Sequence, residues 1–177
     1  MVLALSIDAN DRDAWQDAAS PSIEKCSFGD ATWNDSGGYQ WSLPVPLGAT
    51  ILDARMSVFS AGHGGAAAEY TVVIHVEDVD DATAFENVVD HILLRDYWGT
   101  VVSWTIPSTG LPVGNWSDSP PLSTLIQHVV DRSGWQSGNY VGLGIWGTTD
   151  AGGANEVIRD YHVDPTQAAV LNVTYVP

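Results

Sequence analysis

The chain has 177 residues, with 22 Asp and Glu against 6 Lys and Arg, a formal charge of −16 and an isoelectric point near 4.1. With Lys25 as its single lysine it has no basic stripe to neutralise phosphates, which excludes nucleic acid and insertion into anionic membranes. One cysteine, Cys26, excludes an internal disulfide framework and a thiolate zinc cluster, and the length predicts one domain over 1–177.

Apolar periodicity along the chain has mostly a period of two, the signature of strands. Over 49–60, Leu52, Ala54, Met56 and Val58 alternate with Ile51, Asp53, Arg55, Ser57 and Phe59. Over 70–77, Tyr70, Val72, Ile74 and Val76 share a face. Phe85, Val88, Val89 and Ile92 recur at helical spacing after Asp80 and Asp81, which predicts a short helix over about 82–92. Strands follow over 100–106, with Val102, Trp104 and Ile106 aligned, and over 139–146, where Gly142 and Gly144 suggest close approach of another backbone or a bulge. Between them, Leu122, Leu125, Ile126, Val129 and Val130 form an apolar stripe over about 119–132, with Ser119 placed to cap and Pro120 to begin the helix. Gly134 is placed to close that helix in the left-handed conformation, and Trp135 to fold back over its stripe. Strands over 156–161 and 168–176 end the chain. Clusters of Gly, Pro, Ser and Asp predict loops at 36–38, 61–66, 107–118 and 148–153. Strand upon strand with one crossover helix predicts a mainly β fold, an antiparallel jelly-roll β-sandwich.

The run Leu43-Pro44-Val45-Pro46-Leu47-Gly48-Ala49-Thr50-Ile51-Leu52-Asp53-Ala54 resembles the strand entry of non-catalytic β-sandwich domains of the DNRLRE and carbohydrate-binding-module type. Residues 101–107, 119–139 and 161–175 are similar to later stretches of such domains in the same order, whereas 1–39 fit least. The resemblance implies a sandwich with a binding or structural role, as in modules of marine and phage-encoded proteins. Fold alone does not fix function.

Catalytic signatures are missing. His63, His75, His91, His128 and His162 are scattered, with no HExxH, GxSxG or phosphate-binding glycine loop, and His75 and His128 read as surface residues. The run from Glu77 to Asp81 gathers hard oxygen ligands, so Asp78, Asp80 and Asp81 are candidates for a structural calcium ion. Asp8, Asp11 and Asp13 form a second such run. The other reading is a solvated acidic loop in which Asp80 or Asp81 caps a helix, and no other cofactor is expected.

Of eight tryptophans, Trp104 and Trp135 read as core, whereas Tyr97, Trp98, Trp116 and Trp146 fall in or beside loops, as a glycan platform or a protein interface. The sequence together with the resemblance leads to a non-enzymatic structural or adhesion protein. The expectation is a virion auxiliary protein of a tailed virus, for capsid decoration or tail association. It would sit on the virion surface as a homo-oligomer, preferably a trimer, against the major capsid or tail protein, with cell-surface glycan as a further partner. The alternative is a soluble, extracellular carbohydrate-binding module. The acidic surface also fits a halophilic or marine setting, where ~1 M salt shortens the Debye length to ~3 Å.

Overall fold

The computed structural model describes all residues except 18, 19, 25, 30, 32–34, 65–67 and 150–151. The strands are β1 (Val2–Ser6), β2 (Asp13–Gln16), β3 (Pro21–Ser22), β4 (Cys26–Gly29), β5 (Ser36–Ser42), β6 (Thr50–Gly64), β7 (Tyr70–Val76), β8 (Val102–Ile106), β9 (Trp116–Asp118), β10 (Tyr140–Gly147), β11 (Asn155–Ile158) and β12 (Val170–Val176). Among the described residues there is one helix, α1, over Ser123–Val130. One six-stranded sheet runs β1-β12-β6-β11-β4 with β9 also paired to β6, and the other runs β3-β2-β5-β10-β7-β8. Every pairing is antiparallel, which gives the predicted sandwich-like, mainly β architecture. Among the described residues no helix is long and apolar enough to cross a membrane.

The inward faces follow the period-two pattern. Ala54, Met56 and Val58 of β6, Tyr70, Val72, Ile74 and Val76 of β7, and Leu171, Val173 and Tyr175 of β12 join one buried core. At the start of β6 the pattern inverts: Ile51 is buried and Leu52 is 58% exposed. Tyr175 pairs with Ile51 and Thr174 with Asp53, so Leu52 is the extra residue of a bulge and turns outward. Buried tryptophans satisfy their indole N–H on main chain, Trp41 on the Ala169 carbonyl at 3.0 Å and Trp135 on that of Val45 at 2.9 Å.

Five local expectations are corrected. First, residues 82–92 form no helix. The Arg95 guanidinium donates to the carbonyls of Thr83 at 2.8 Å and Ala84 at 2.9 Å, the Phe85 amide donates to Asp11 at 2.9 Å, and Asp90 has a left-handed φ of 61°. Helical spacing of Phe85 and Ile92 instead reflects a small core shared with Ala14, while Val88 and Val89 are about half exposed. Second, α1 begins later than the stripe implied, because the Ser119 hydroxyl accepts from the Met56 amide at 3.0 Å and anchors the chain beside β6 rather than capping. Third, 36–38, 61–64 and 116–118 are strand, in β5, β6 and β9, while 65 and 66 lie outside the described residues. The Phe85 ring crosses over Gly38, where a Cβ would come within 2.5 Å of it, so that glycine admits a side chain and does not mark a turn. Fourth, Gly134 is not left-handed, whereas Gly138 is, at φ 99°. A Cβ on Gly134 would collide with the Asp80 carboxylate. Fifth, Gly142 and Gly144 make room for the side chains of Glu77 and Tyr97, not for another backbone.

Candidate binding cleft

The same helical period that buries Leu125, Ile126, Val129 and Val130 leaves Ser123, Thr124, Gln127, His128 and Asp131 on the opposite side of α1 and its C-cap. This polar stripe, with Ile51 and Trp98, lines a cleft of about 420 Å³. Gln127 is fixed by three bonds: its Oε1 accepts from the Ile51 amide at 2.7 Å, and its Nε2 donates to the Ala49 carbonyl and to Asp131 Oδ1, both at 2.9 Å. It therefore ties the helix to the entry of β6.

Trp98 enters the cleft from the segment after β7, its amide donating to the Val76 carbonyl at 3.0 Å. Its ring lies parallel to that of His128, with 4.0 Å between centroids and 1° between planes. His128 Nε2 sits 2.8 Å from Asp78 Oδ1, Arg132 also pairs with that oxygen, and Arg132 Nε donates to Asp80 Oδ1 at 2.7 Å. The bond from His128 is the largest influence on the Asp78 carboxyl; burial opposes it, and the charges of Arg132 and His128 add to it, so the carboxyl is held below the usual carboxylate range. Trp98 is thus backed by a ring that is itself pinned by an ionised aspartate.

The acidic run expected to hold calcium is committed to these neighbours. Asp78 and Asp80 meet Arg132, and Asp81 Oδ1 accepts the Tyr140 amide at 2.7 Å. Among the described residues no group of three or more His, Cys, Asp or Glu is arranged to hold a metal ion. In the other acidic run, Asp8 accepts from the Tyr140 hydroxyl at 2.8 Å and Asp13 is fully buried beneath Tyr161, whose amide it accepts at 2.8 Å.

The four predicted aromatics do not form one surface. Trp98 is in the cleft. Tyr97 and Trp146 meet edge to face at 5.3 Å, with His75 stacked on Trp146 at 4.0 Å, and the Tyr97 hydroxyl donates to the Ile92 carbonyl at 2.9 Å. Burial there lowers the His75 pKa to about 4, so it is a neutral packing group and not a free surface histidine. Trp116 lies on β9, edge-on to Phe59 at 5.6 Å and 43% exposed. Missed from sequence were Ser123, Thr124, Gln127 and Asp131, although their spacing opposite the apolar stripe was a usable signal.

The fold and cleft define a sandwich-like, mainly β protein with a cleft beside α1. No family model matches the chain, so the likeness to the DNRLRE type gains nothing from that comparison, and no curated protein matches it. Among solved structures it is similar to a family-61 carbohydrate-binding module, described in complex with β-1,4-galactotriose. The likeness has 12% identity and a TM-score of 0.31, and spans 96% of this chain and 80% of that one.

Proposed function

We propose that the protein is a non-enzymatic carbohydrate-binding module whose glycan lies in the Trp98 cleft. The observation that carries this is the pairing of an aromatic plane with a fixed polar rim. A pyranose ring has an apolar face that packs on an indole and an edge of hydroxyls that needs donors and acceptors, here Ser123, Thr124 and Asp131. Trp98 is held by His128, and Gln127 and Asp131 hold each other, so little side-chain freedom is lost on binding. Glycoside cleavage takes two carboxyl groups ~5–10 Å apart flanking the bond, and the cleft lining has one, Asp131. Binding without turnover is the reading this supports.

Glycan arrays followed by calorimetry with the best oligosaccharide test it. Trp98→Ala should weaken binding about thirtyfold, as for a desolvated interface tryptophan, with the fold retained by circular dichroism. A folded variant that binds as tightly as the parent places the glycan elsewhere.

A second reading, attachment to a larger assembly such as a virion surface as a homotrimer, is favoured by one observation. Trp116 and Val113, 43% and 52% exposed, stand close in sequence at the approach to β9. Trp116→Ala should then abolish oligomers seen by light scattering while leaving glycan affinity unchanged.

A further inference from the structure

The charges around the Trp98 cleft do not cancel. Asp78 and Asp80 face Arg132, and Asp78 also meets His128 Nε2 at 2.8 Å. With His128 protonated these four groups balance, and with His128 neutral they leave one negative charge. Asp131 stands outside that balance. Among the described residues no ion pair reaches it, and its side chain's one bond is the donation from the neutral Gln127 Nε2 to Oδ1 at 2.9 Å. Arg55 of β6 is already engaged, 3.6 Å from Asp53 and donating to the Ser119 carbonyl at 3.1 Å. The cleft therefore carries an excess negative charge in either state of His128.

That charge is accessible. Asp131 is an exposed residue of the cleft lining, so its carboxylate is within reach of a molecule bound beside Trp98. An ammonium finds two favourable groups there, a carboxylate without a counter-charge and an indole, whose ring attracts cations. A ligand carboxylate or sulfate meets the same excess charge as repulsion, on a chain whose formal charge is −16. A pyranose that packs its apolar face on Trp98 and carries an ammonium in place of a hydroxyl is an amino sugar.

We propose that the Trp98 cleft selects glycans with free amino groups, such as glucosamine oligomers, over N-acetylated, neutral and uronic counterparts, with Asp131 as the specificity-determining residue. This rests on the reading of the cleft as a glycan site and names the class of glycan it takes. Because the carboxylate is exposed, the preference is modest, about fivefold at low salt.

The test uses the full chain labelled with ¹⁵N, observed at the Trp98 indole N–H, at about pH 5.5 so that sugar amines are protonated. The probes are triglucosamine, its N-acetylated form, cellotriose and trigalacturonate. Spermidine serves as a cation without a pyranose ring. Triglucosamine should bind about fivefold more tightly than the two neutral trimers, and trigalacturonate more weakly than any of them. In ~1 M sodium chloride the preference should shrink to about twofold or less, through screening of the exposed charge. Asp131→Asn, which keeps an acceptor for Gln127, should bring the ratio of amino to neutral affinity to about one. Neutral trimers that shift the Trp98 signal while triglucosamine binds no better would overturn this proposal and leave the cleft as a glycan site. A preference that persists in Asp131→Asn would also overturn it, as would spermidine moving the Trp98 signal as strongly as triglucosamine, since attraction of any cation would then suffice. A Trp98 signal unmoved by every trimer would overturn both the proposal and the reading of the cleft.

Discussion

Glu77 and Asp13 are both buried carboxylates, 4% and 0% exposed, yet the molecule treats them differently. Both oxygens of Glu77 accept from Arg95 NH1 at 3.0 Å, and Gln40 Nε2 donates to Oε1 at 3.1 Å. Burial raises the pKa of Glu77, and Arg95 and Gln40 oppose the rise. Among the described residues Asp13 has no cation: its Oδ2 accepts the Tyr161 amide, its Oδ1 has no partner, and Asp160 repels it. Burial drives its pKa up to about 7. Burial raises both carboxyls, but at Glu77 a guanidinium and an amide oppose the rise, whereas Asp13, beside Asp160, holds its proton to near neutrality.

The largest expected effect comes from removing the cation. Arg95→Ala leaves Glu77 buried without its guanidinium, removes a donor from the carbonyls of Thr83 and Ala84, and strips the cover from Phe85, over which the guanidinium lies at 4.3 Å. A loss of about 3–5 kcal/mol in urea unfolding at pH 8 is expected. A loss below about 1 kcal/mol would show that the pair is incidental.

Next in size is the opposite substitution. The folded pKa of Asp13 lies near 7 against an ordinary value of 3.8, so folding holds the proton, and stability falls as pH rises from about 4 to about 7 and then levels. Asp13→Asn keeps an acceptor for Tyr161 and removes the titration. Relative to the parent it should gain several degrees of melting temperature at pH 8 and little at pH 4. Glu156, 1% exposed and raised to about 7 by burial, makes the same case, so Glu156→Gln should gain in the same direction. An equal gain at both pH values would place the effect outside ionisation.

The smallest effect is global. Surface repulsion at −16 should relax between low salt and ~1 M sodium chloride, raising the melting temperature by a few degrees. A flat curve would leave the acidic composition without a saline role.

The sequence is legible where one face decides the structure. The alternation from Tyr70 to Val76 and the stripe of α1 depend on neighbours in the chain, and both elements formed as their periods required. Residues 82–92 were misread because their apolar spacing was real while their hydrogen bonds were provided by Arg95 and Asp11, which no local pattern contains. Strands β1 to β5 escaped, as did β9 within the loop expected over 107–118, and in β5 the reason is related. Gly37 and Gly38 look like a turn until Phe85 and Ile145 are placed against them from distant positions. At the cleft, Trp98 was visible as a loop aromatic, but its partnership with His128 and Asp78 joins α1 to the segment after β7, and that joining is tertiary.

The central claim is that Trp98, backed by His128 and rimmed by α1, forms a glycan surface. The most direct measurement is a titration of the labelled protein with the oligosaccharide selected on an array, observed at the Trp98 indole N–H and the Thr124 and Asp131 amides. The account predicts saturable shifts at all three, lost in Trp98→Ala and reduced about tenfold in Asp131→Ala. Binding that leaves these signals unmoved, or an array with no bound glycan, would contradict it.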